Sequence, residues 1–459
     1  MTKGSVLNPA VPVNDMAKSR ALLDTASEVV PGGVHSGRRK LEPPLCVQRA
    51  HGAYLEDVDG NHFIDYHAAY GAILLGHSYP EVVARVSAAI RERVLFAVGT
   101  TESEAALARK IVQHVPSAER VLFCGSGSES TLYAIRAARA VTGRSKVLKF
   151  QGCYNGFHDF VLRGDLTNKP GTGSGIGASA NLMRYDSVGV FEPALEHTLV
   201  CAYNDLDDVK EAVAANPEQV AAIILEPILH NATTIHPRPG FLEGLRELCN
   251  SEGIILIFDE VITGFRHDLG GYQKLVGVTP DLTCMGKALG TGFPIAALGG
   301  RADIMERFTT TADGDVWYGG SYNANEVGVS AALANIEVLE SQNVHEHTFQ
   351  LGDRMRAGLG EIAEEAGVPH VVAGFGGIFV LAFLEPPLET YDDYLRNDLD
   401  LFISYRRQLI KRGVFEMPEN VGRNHISFSH TADDIDRTLE AARDALRAAL
   451  DETATGASH

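Results

Sequence analysis

Short apolar segments alternate with helical patterns between about residue 80 and residue 332. The segments are four to six residues long, and their largely continuous apolar character is typical of strands that are covered on both faces. This alternation predicts an α/β fold built on a mostly parallel sheet. The predicted strands span residues 120–124, 146–150, 198–202, 220–225, 254–258 and 281–284.

The two ends of the chain carry a different pattern. The sequence "AYLEDVDGNHFIDY" contains two strand-like runs around Asp-Gly-Asn at 59–61, which predicts a hairpin because these residues tolerate positive φ. Near the C-terminus, predicted strands at 377–383 and 423–430 precede a predicted helix at 432–450. We therefore expect a smaller α+β domain that is assembled from both termini. The predicted ranges are 1–75 for its N-terminal part, 76–332 for the large domain and 333–459 for its C-terminal part.

The chain is acidic, with 59 Asp and Glu against 40 Lys and Arg and a formal net charge of −19 at pH 7. Nucleic acids and anionic membranes bind basic surfaces. The charge therefore argues against a nucleic acid or a membrane as the main partner.

The six cysteines are scattered, with no C-x-x-C pair and no grouping typical of a metal site. This spacing predicts reduced thiols and no bound metal. Residues 1–16 contain no apolar signal-peptide core, and no apolar run approaches the length of a membrane span. We therefore expect a cytoplasmic protein.

A small-residue turn, Gly-Ser-Gly-Ser-Glu at 125–129, follows the first predicted strand and opens a helical pattern. Small residues allow close backbone approach, and a helix start offers free N–H groups to an anion. We interpret this turn as a phosphate site, with a plain tight turn as the alternative. A dinucleotide-dependent oxidoreductase is a remote alternative, because the next predicted strand ends in Gln151 and not in a ribose-binding acid.

Charged residues follow two other predicted strands. Asp259 and Glu260 come directly after 254–258, and Lys287 lies among glycines just after 281–284. A lysine between buried segments suits a nucleophile, and a carboxylate beside a pyridine nitrogen keeps that nitrogen protonated. A phosphate site, an acid and a lysine together are what pyridoxal 5'-phosphate (PLP) requires. We therefore predict a PLP cofactor, with Asp259 as the functional acid and Glu260 as a structural one.

Six motifs together carry a resemblance to a known family. Over residues 17–450 the chain is similar to class III (fold type I) aminotransferases, in the branch close to glutamate-1-semialdehyde 2,1-aminomutase and β-amino acid (β-phenylalanine) aminotransferases. The resemblance implies a large domain with a mostly parallel seven-stranded sheet and a smaller α+β domain. The motifs are "PGGVHSGRR", "FCGSGSESTLYAIRAAR", "KFQGCYNGFHD", "ILEPILHNA", "FDEVITGFR" and "MGKALGTGFP".

The resemblance also implies roles for residues around the cofactor ring. It implies that Lys287 forms a Schiff base with PLP and moves the reacting proton, and that Asp259 pairs with the pyridine nitrogen. Val261 and Tyr154 are expected on opposite faces of the ring. Asn231 is expected to reach the ring hydroxyl.

A further set of roles concerns the phosphate. The resemblance implies that Ser126, Gly127 and Ser128 hold it. Ser321, in "YGGSYNAN", matches a position that supplies a hydroxyl to the phosphate of the neighbouring subunit. The chain is therefore expected to form a homodimer.

An amino acid substrate requires a cation for its carboxylate, and arginine offers two parallel donors. The branch carries its substrate arginine at the position of Arg38 or Arg39, and we choose Arg39. Related β-amino acid enzymes bring a second arginine from the region of the predicted strand 423–430, which makes Arg423 the other candidate. Alternation along that strand predicts a shared face for Arg423, His425, Ser427 and Ser429.

Two departures from the aminomutase pattern affect the predicted reaction. The Gly-rich gate sequence is replaced by the stretch 166–179, interpreted as a lid or a plain surface loop, and the acid expected before the last strand is Gly422. We therefore predict a ping-pong aminotransferase that moves an amino group from an amino acid, with β-amino acids among the candidates, to an oxo acid such as 2-oxoglutarate or pyruvate. Glutamate-1-semialdehyde 2,1-aminomutase is the alternative.

Overall fold

The computed structural model describes residues 16–164, 187, 189–418 and 422–454. The stretch 166–179, interpreted as a lid or a plain surface loop, lies outside these residues. The chain divides into two compact units, each built from separate stretches of sequence. The predicted domain ranges 1–75, 76–332 and 333–459 stay a prediction. The first unit comprises Met1–Tyr79, Glu346–Pro386 and Arg396–His459, and the second comprises Pro80–His345 and Pro387–Leu395.

Strands and helices are numbered along the described part of the chain. The strands are β1 (Val47–His51), β2 (Tyr54–Asp57), β3 (His62–Asp65), β4 (Arg120–Cys124), β5 (Lys146–Phe150), β6 (Thr198–Cys201), β7 (Val220–Leu225), β8 (Ile255–Glu260), β9 (Leu282–Met285), β10 (Ala296–Gly300), β11 (Val371–Ala373), β12 (Ile378–Ala382), β13 (Val414–Phe415) and β14 (Asn424–His425). The helices are α1 (Ala17–Ser27), α2 (Ala68–Gly71), α3 (Pro80–Glu92), α4 (Glu102–His114), α5 (Gly127–Thr142), α6 (Glu192–Glu196), α7 (Leu206–Ala214), α8 (Phe241–Glu252), α9 (Gly271–Val276), α10 (Ala302–Met305), α11 (Glu326–Ser341), α12 (Val344–Ala366), α13 (Tyr391–Tyr394), α14 (Leu399–Ile410) and α15 (Ala432–Ala454). Short 3-10 helices span Pro31–Gly33, Gly37–Arg39 and Lys287–Leu289.

Seven strands of the second unit form one sheet in the order β4-β10-β9-β8-β7-β5-β6. Neighbouring strands pair in parallel except at β10, which runs antiparallel to both β4 and β9. The predicted α/β fold with a mostly parallel seven-stranded sheet is confirmed, and the predicted strand ends lie within two residues of the observed ones. The sequence pattern does not predict β10, because its Ala-Ala-Leu-Gly-Gly sequence has low strand propensity.

Parallel pairing fixes where the strand ends lie. Leu225 of β7 pairs with Phe258 of β8, and Asp259 of β8 pairs with Cys284 of β9. Strand β4 points in the same direction as β9, because each is antiparallel to β10. The carboxyl ends of β4, β7, β8 and β9 therefore meet at one edge of the sheet, where ligand sites of α/β folds form.

Helix α5 packs against this sheet and is the element that begins at the Gly-Ser turn. Its buried side chains belong to the same apolar cluster as Ile224 of β7, Ile257 of β8 and Leu298 of β10. Burying a side chain of this size stabilises the fold by roughly 1.5–3 kcal/mol. The packing therefore holds the first turn of α5 at the carboxyl edge. The buried apolar side chains of α5 are Tyr133, Ala134, Ile135, Ala137 and Ala138.

The first unit contains two small sheets, in the orders β1-β2-β3-β13 and β11-β12-β14. Strands β2 and β3 are joined by the predicted hairpin turn, where Gly60 has a φ of +87°. The prediction of this hairpin is confirmed. Helices α12, α14 and α15 contribute to the same apolar cluster as β12, and its largest buried members are Tyr66, Phe379, Phe402 and Tyr405.

The predicted strand 423–430 is largely wrong. Only Asn424–His425 pairs as a strand, and the next residues form a turn. The Ser427 hydroxyl lies 2.9 Å from His430 Nδ1, and the Ser429 hydroxyl donates to the Leu75 carbonyl at 2.7 Å. A serine side chain that bonds to a residue three positions along the chain, as Ser427 does, competes with a strand ladder. The shared face is retained in part: Arg423 donates to the Tyr70 carbonyl, and His425 lies against Gly71. Ser429 contacts the same stretch of chain, whereas Ser427 bonds to His430.

None of the helices within the described ranges is both long and apolar enough to cross a membrane.

The six cysteines are free thiols, and five of them are buried. In the part of the chain that the structure describes, no group of three or more His, Cys, Asp or Glu side chains is arranged to hold a metal ion. The cytoplasmic location stays a prediction from the sequence.

Candidate active site

Asp259 lies at the carboxyl end of β8 with only 4% of its surface exposed. Its two oxygens accept hydrogen bonds from Asn155 Nδ2 at 2.9 Å and from the Val261 backbone N–H at 3.1 Å. Burial raises the pKa of the Asp259 carboxyl, while these hydrogen bonds and the charges of Lys287 and Lys149 oppose the rise. The site thus supports a buried negative charge with donors on one side and cations nearby.

Glu260, the adjacent acid, points into a different environment. Its carboxylate accepts bonds from the Thr263 hydroxyl at 2.7 Å, the Tyr272 N–H at 2.6 Å and both the backbone and side chain of Gln273. Two of these donors are backbone groups in the first turn of α9, so the carboxylate satisfies N–H groups that lack helical partners. Burial raises the pKa of Glu260 and the hydrogen bonds oppose that rise. Its contacts fit a structural role.

Lys287 follows β9 after one extended glycine, Gly286. It opens a 3-10 helix with a φ of +42°, in the left-handed region that glycine prefers. Such a conformation costs a residue with a side chain about 1–2 kcal/mol. Backbone strain of this kind concentrates at functional sites. The positive charge of Lys287 opposes the rise in the pKa of Asp259 that burial causes.

The Gly-Ser turn after β4 forms the start of α5. Ser126 is the residue that caps the helix: its hydroxyl accepts the Glu129 N–H at 3.3 Å. The Glu129 carboxylate in turn accepts the Gly125 N–H at 3.0 Å. The N–H groups of Gly127 and Ser128 belong to the first turn of a sixteen-residue helix, where no partner four residues earlier in the helix exists. This arrangement favours an anion at that end.

Val261 lies between the Gly-Ser turn at the start of α5 and Gly286, the residue before Lys287. A methyl group built on Gly127 would lie 2.9 Å from Val261 Cγ2, and one built on Gly286 would lie 3.4 Å from Val261 Cγ1. Any larger residue at Gly127 would therefore collide with Val261. The helix start, Val261 and the residue before Lys287 form one continuous surface, which fits the phosphate, ring face and aldehyde of the predicted PLP.

A second pair of predicted residues meets on Glu226, which directly follows β7. The Tyr154 N–H donates to Glu226 Oε1 at 3.1 Å, and Asn231 Nδ2 donates to the same oxygen at 2.7 Å. Glu226 and Asn231 are buried, while the Tyr154 side chain is partly exposed. The structure therefore brings Tyr154 and Asn231 together through a residue that sequence reasoning did not single out.

Sequence reasoning did not single out two residues of the site, Asn155 and Glu226. Asn155, fully buried, is the neighbour of Tyr154 and bonds directly to Asp259. Glu226 had the same signal as Asp259, an acid immediately after a continuous apolar strand. Asn155 had no such signal, because its contact with Asp259 joins residues that are far apart in the sequence.

Ser321 lies in an exposed segment, 317–322. The segment is fixed from beneath, because the Tyr133 hydroxyl donates to the Gly319 carbonyl at 2.7 Å and the Tyr318 hydroxyl donates to the Phe123 carbonyl. Its outer side carries Trp317 and Tyr322, which are 63% and 72% exposed. The segment is therefore held on β4 and α5 while large aromatic side chains face outward.

The two predicted substrate arginines belong to the first unit. Arg39 is exposed, in the 3-10 helix Gly37–Arg39, whereas Arg423 is buried and donates to the Tyr70 carbonyl at 3.4 Å. Burial lowers the pKa of His67 to about 4, against the opposing effect of Asp65, and the charges of Arg423, Arg406 and Arg39 add to the lowering.

Comparisons with known proteins give the same family as the motifs. The family model for aminotransferase class-III matches residues 35–446. The chain is 39% identical over 432 residues to a glutamate-1-semialdehyde 2,1-aminomutase from Syntrophobacter fumaroxidans, covering 93% of this chain and 97% of that protein.

Solved structures of two transaminases are similar over nearly the whole chain. An ω-transaminase from Sphaerobacter thermophilus matches with a TM-score of 0.86 and 33% identity, over 94% of this chain and 97% of that one. A β-phenylalanine aminotransferase from Variovorax paradoxus matches with a TM-score of 0.83 and 27% identity, over 94% of each chain. The chain therefore belongs to the class III aminotransferases, enzymes of fold type I that use PLP and act on small-molecule substrates.

Proposed function

We propose that the chain catalyses amino transfer from an amino acid to an oxo acid in two half-reactions, with Lys287 and Asp259 as the catalytic residues. The observation that carries the proposal is the position of Val261, which contacts the helix start at Gly127 and lies beside Gly286, the residue before Lys287. A phosphate site, an acid and a lysine thereby share one edge of the sheet.

The residues around this edge suit each part of PLP. Ser126, Gly127 and Ser128 hold the phosphate at the positive end of α5. Asp259 keeps its charge beside the ring nitrogen with help from Asn155. When bound, PLP supplies an electron sink for the electrons of a C–H bond that breaks beside the substrate nitrogen.

Three further residues frame the ring. Val261 packs on one face, Tyr154 covers the other, and Asn231 donates toward the ring hydroxyl. Their support is the shared Glu226 oxygen, which fixes Tyr154 and Asn231 relative to each other. Lys287 would hold the cofactor covalently in the resting enzyme, and its freed amine would move a proton at the substrate carbon as a general base and acid.

The substrate carboxylates are assigned to Arg39 and Arg423. Donors are amino acids, with β-amino acids among them, and acceptors are oxo acids such as 2-oxoglutarate or pyruvate. The likeness to a β-phenylalanine aminotransferase and an ω-transaminase supports this substrate class.

A half-reaction screen tests the proposed reaction. The purified protein is expected to be yellow and to lose its visible band when an amino donor is added without an acceptor. Donors of the α-, β- and ω-amino classes are added one at a time, and an oxo acid should then restore the band. A protein whose band responds to no donor, or that requires a nicotinamide for colour, would contradict the proposal.

The aminomutase is a second candidate, supported by the 39% identity to a protein of that name. Gly422 argues against it, because the branch carries an acid at this position. Conversion of glutamate 1-semialdehyde to 5-aminolevulinate without any oxo acid would establish the mutase reaction and overturn intermolecular transfer as the main activity.

Replacing Arg423 by glutamine is expected to raise KM for amino acid donors by roughly tenfold or more, since a charged hydrogen bond contributes about 1.5–3 kcal/mol. Amines without a carboxylate should be used with unchanged kcat/KM, which separates lost recognition from misfolding. Arg39→Gln should show the same selective loss, and Arg38→Gln, next to it, serves as the matched control. Equal losses for amines and amino acids would contradict the assignment.

We also propose a homodimer in which Ser321 reaches the phosphate site of the neighbouring subunit. The exposed apolar surface supports a second copy as the partner, because Trp317 and Tyr322 lie outward on a fixed segment. A second exposed apolar stretch, 94–98, lies close to it in the chain fold, since the Glu326 N–H donates to the Val94 carbonyl at 3.1 Å. Apolar patches of this kind mark interaction sites.

Ser321→Ala is expected to weaken PLP binding by roughly tenfold, the effect of one charge-assisted hydrogen bond. The partner contribution is tested by mixing subunits: Ser321→Ala and Lys287→Ala chains are combined under conditions that exchange subunits. The mixed dimer should regain one tight PLP site, because the Ser321→Ala chain keeps Lys287 and receives an intact Ser321. Affinity that does not change on mixing would exclude the exchange of Ser321 between subunits.

A further inference from the structure

Lys149 is a fully buried lysine in the interior of the second unit. It lies on β5, and its side chain has 0% exposure. Its ammonium group donates to the carbonyls of Val161 at 2.6 Å and Arg163 at 2.7 Å. Burial of a charged group is costly unless it is well bonded, so a lysine at this depth requires an explanation.

Both carbonyls belong to the segment 151–164, which leaves the end of β5 and folds back on it. The two ends of this segment meet, because the Gly152 N–H donates to the Gly164 carbonyl at 2.9 Å. Arg163 fixes the far end to β6, since its guanidinium donates to the Thr198 carbonyl at 2.7 Å. Lys149 therefore holds the segment 151–164 closed through hydrogen bonds from its buried side.

The closed segment carries residues of the active site. Within it, Asn155 donates to Asp259 at 2.9 Å, and its own carbonyl accepts the Thr131 hydroxyl of α5 at 2.7 Å. Gly156, with a φ of +115°, packs against Ser128, where an added methyl group would lie 2.9 Å from the Ser128 hydroxyl. A change in the conformation of the segment would therefore alter the contacts of both Asp259 and the first turn of α5.

The charge of Lys149 also reaches the site directly. It is among the groups that favour the ionised form of Asp259, together with Lys287. Lys287 takes part in the proposed reaction, so its own charge changes during turnover. Lys149 faces backbone carbonyls and takes no part in the reaction, so it can support Asp259 throughout.

We propose that Lys149 is a positioning residue: its buried ammonium closes the segment 151–164, and through Asn155 the closed segment positions Asp259 for PLP. The first half of the proposal is independent of any cofactor. The second half rests on the proposed function, in which Asp259 pairs with PLP.

Hydrogen exchange of the cofactor-free protein tests the closing role. In Lys149→Met, amides of residues 151–164 should exchange roughly tenfold faster or more, because local opening becomes easier. Lys146→Met is the matched control on the same strand, since Lys146 bonds to Asn216 outside the segment. Unchanged exchange in Lys149→Met, or an equal change in Lys146→Met, would overturn this half.

A double-substitution cycle tests the positioning of Asp259. Lys149→Met should weaken PLP binding roughly tenfold when Asp259 is present and less than about twofold in the Asp259→Asn background, because the two residues are coupled. Equal weakening in both backgrounds would overturn an action through Asp259. If Asp259→Asn alone leaves binding and turnover unchanged, the proposed function fails instead, while the exchange result still stands.

A second variant covers the case in which Lys149→Met does not fold. Lys149→Gln keeps a donor toward the two carbonyls without the charge. Its exchange in 151–164 and its PLP affinity should both lie between those of wild type and Lys149→Met. A Gln variant whose segment opens as in Lys149→Met while its PLP affinity stays at the wild-type level would overturn the second half of the proposal.

Discussion

Alanine in place of Lys287 is expected to slow amino transfer by roughly 10³-fold or more, because removal of a group that both attaches the cofactor and moves the proton has effects of this size. The variant should still fold, since Lys287 is only partly buried and alanine bears the same kind of backbone cost as lysine at this positive φ. Single-turnover rates with an amino acid donor measure the loss.

Borohydride reduction gives a second measurement that does not depend on turnover. Wild-type chain should gain the mass of the reduced cofactor on the peptide that contains Lys287, and Lys287→Ala should not. Lys287→Arg keeps the charge near Asp259 but cannot attach the cofactor, so it should lose activity as Lys287→Ala does. Lys274→Ala, an exposed lysine of α9 with an ion pair to Asp268, serves as the control. Labelling of another lysine, or activity within tenfold of wild type, would refute the assignment.

Strand positions were predictable where apolar segments are continuous. Strands β7 and β8 are buried along their whole length. A strand that is buried on both faces is a continuous apolar run, which can be recognised in the sequence without knowledge of tertiary contacts. Strand β10 carries only Ala, Leu and Gly, and its strand conformation comes from pairing with β4 and β9. The turn after His425 was missed because the local contact between Ser427 and His430 leaves no signal in the alternating pattern.

The positions of Asp259 and Lys287 in the site were predictable for a simple topological reason. Both follow strands of one parallel sheet, whose carboxyl ends must share an edge. Asn155 was not predictable, because its contact with Asp259 joins distant parts of the chain. Lys149 was not predictable because its partners are backbone carbonyls, which leave no signal in the sequence.

Asp259 and Glu260 differ in the groups that stabilise their buried charges. Glu260 satisfies backbone N–H groups at the start of α9, so its charge is used within the fold. Asp259 has fewer protein donors, and its ionised form is favoured in part by Lys287, the residue proposed to react. An imperfectly compensated buried charge is costly for stability, and sites that bind a charged ligand carry such costs.

Asn at position 259 is therefore expected to separate stability from activity. Asp259→Asn removes a buried charge with little change of shape, so the cofactor-free protein should be at least as stable as wild type in thermal unfolding. Its half-reaction with an amino donor should slow by roughly 10²- to 10³-fold, the usual effect of losing one electrostatic group that acts on developing charge. Stopped-flow absorbance measures the rate.

Glu260→Gln is the matched control, since it makes the same chemical change one residue along the chain. It should lower the free energy of unfolding by about 1–3 kcal/mol, because an amide cannot accept all the hydrogen bonds that the carboxylate accepts. Its half-reaction rate per folded site should stay within about threefold of wild type, because its contacts lie in the fold and not at the cofactor. Near-normal turnover in Asp259→Asn, or a larger loss in Glu260→Gln, would reverse the roles of the two acids.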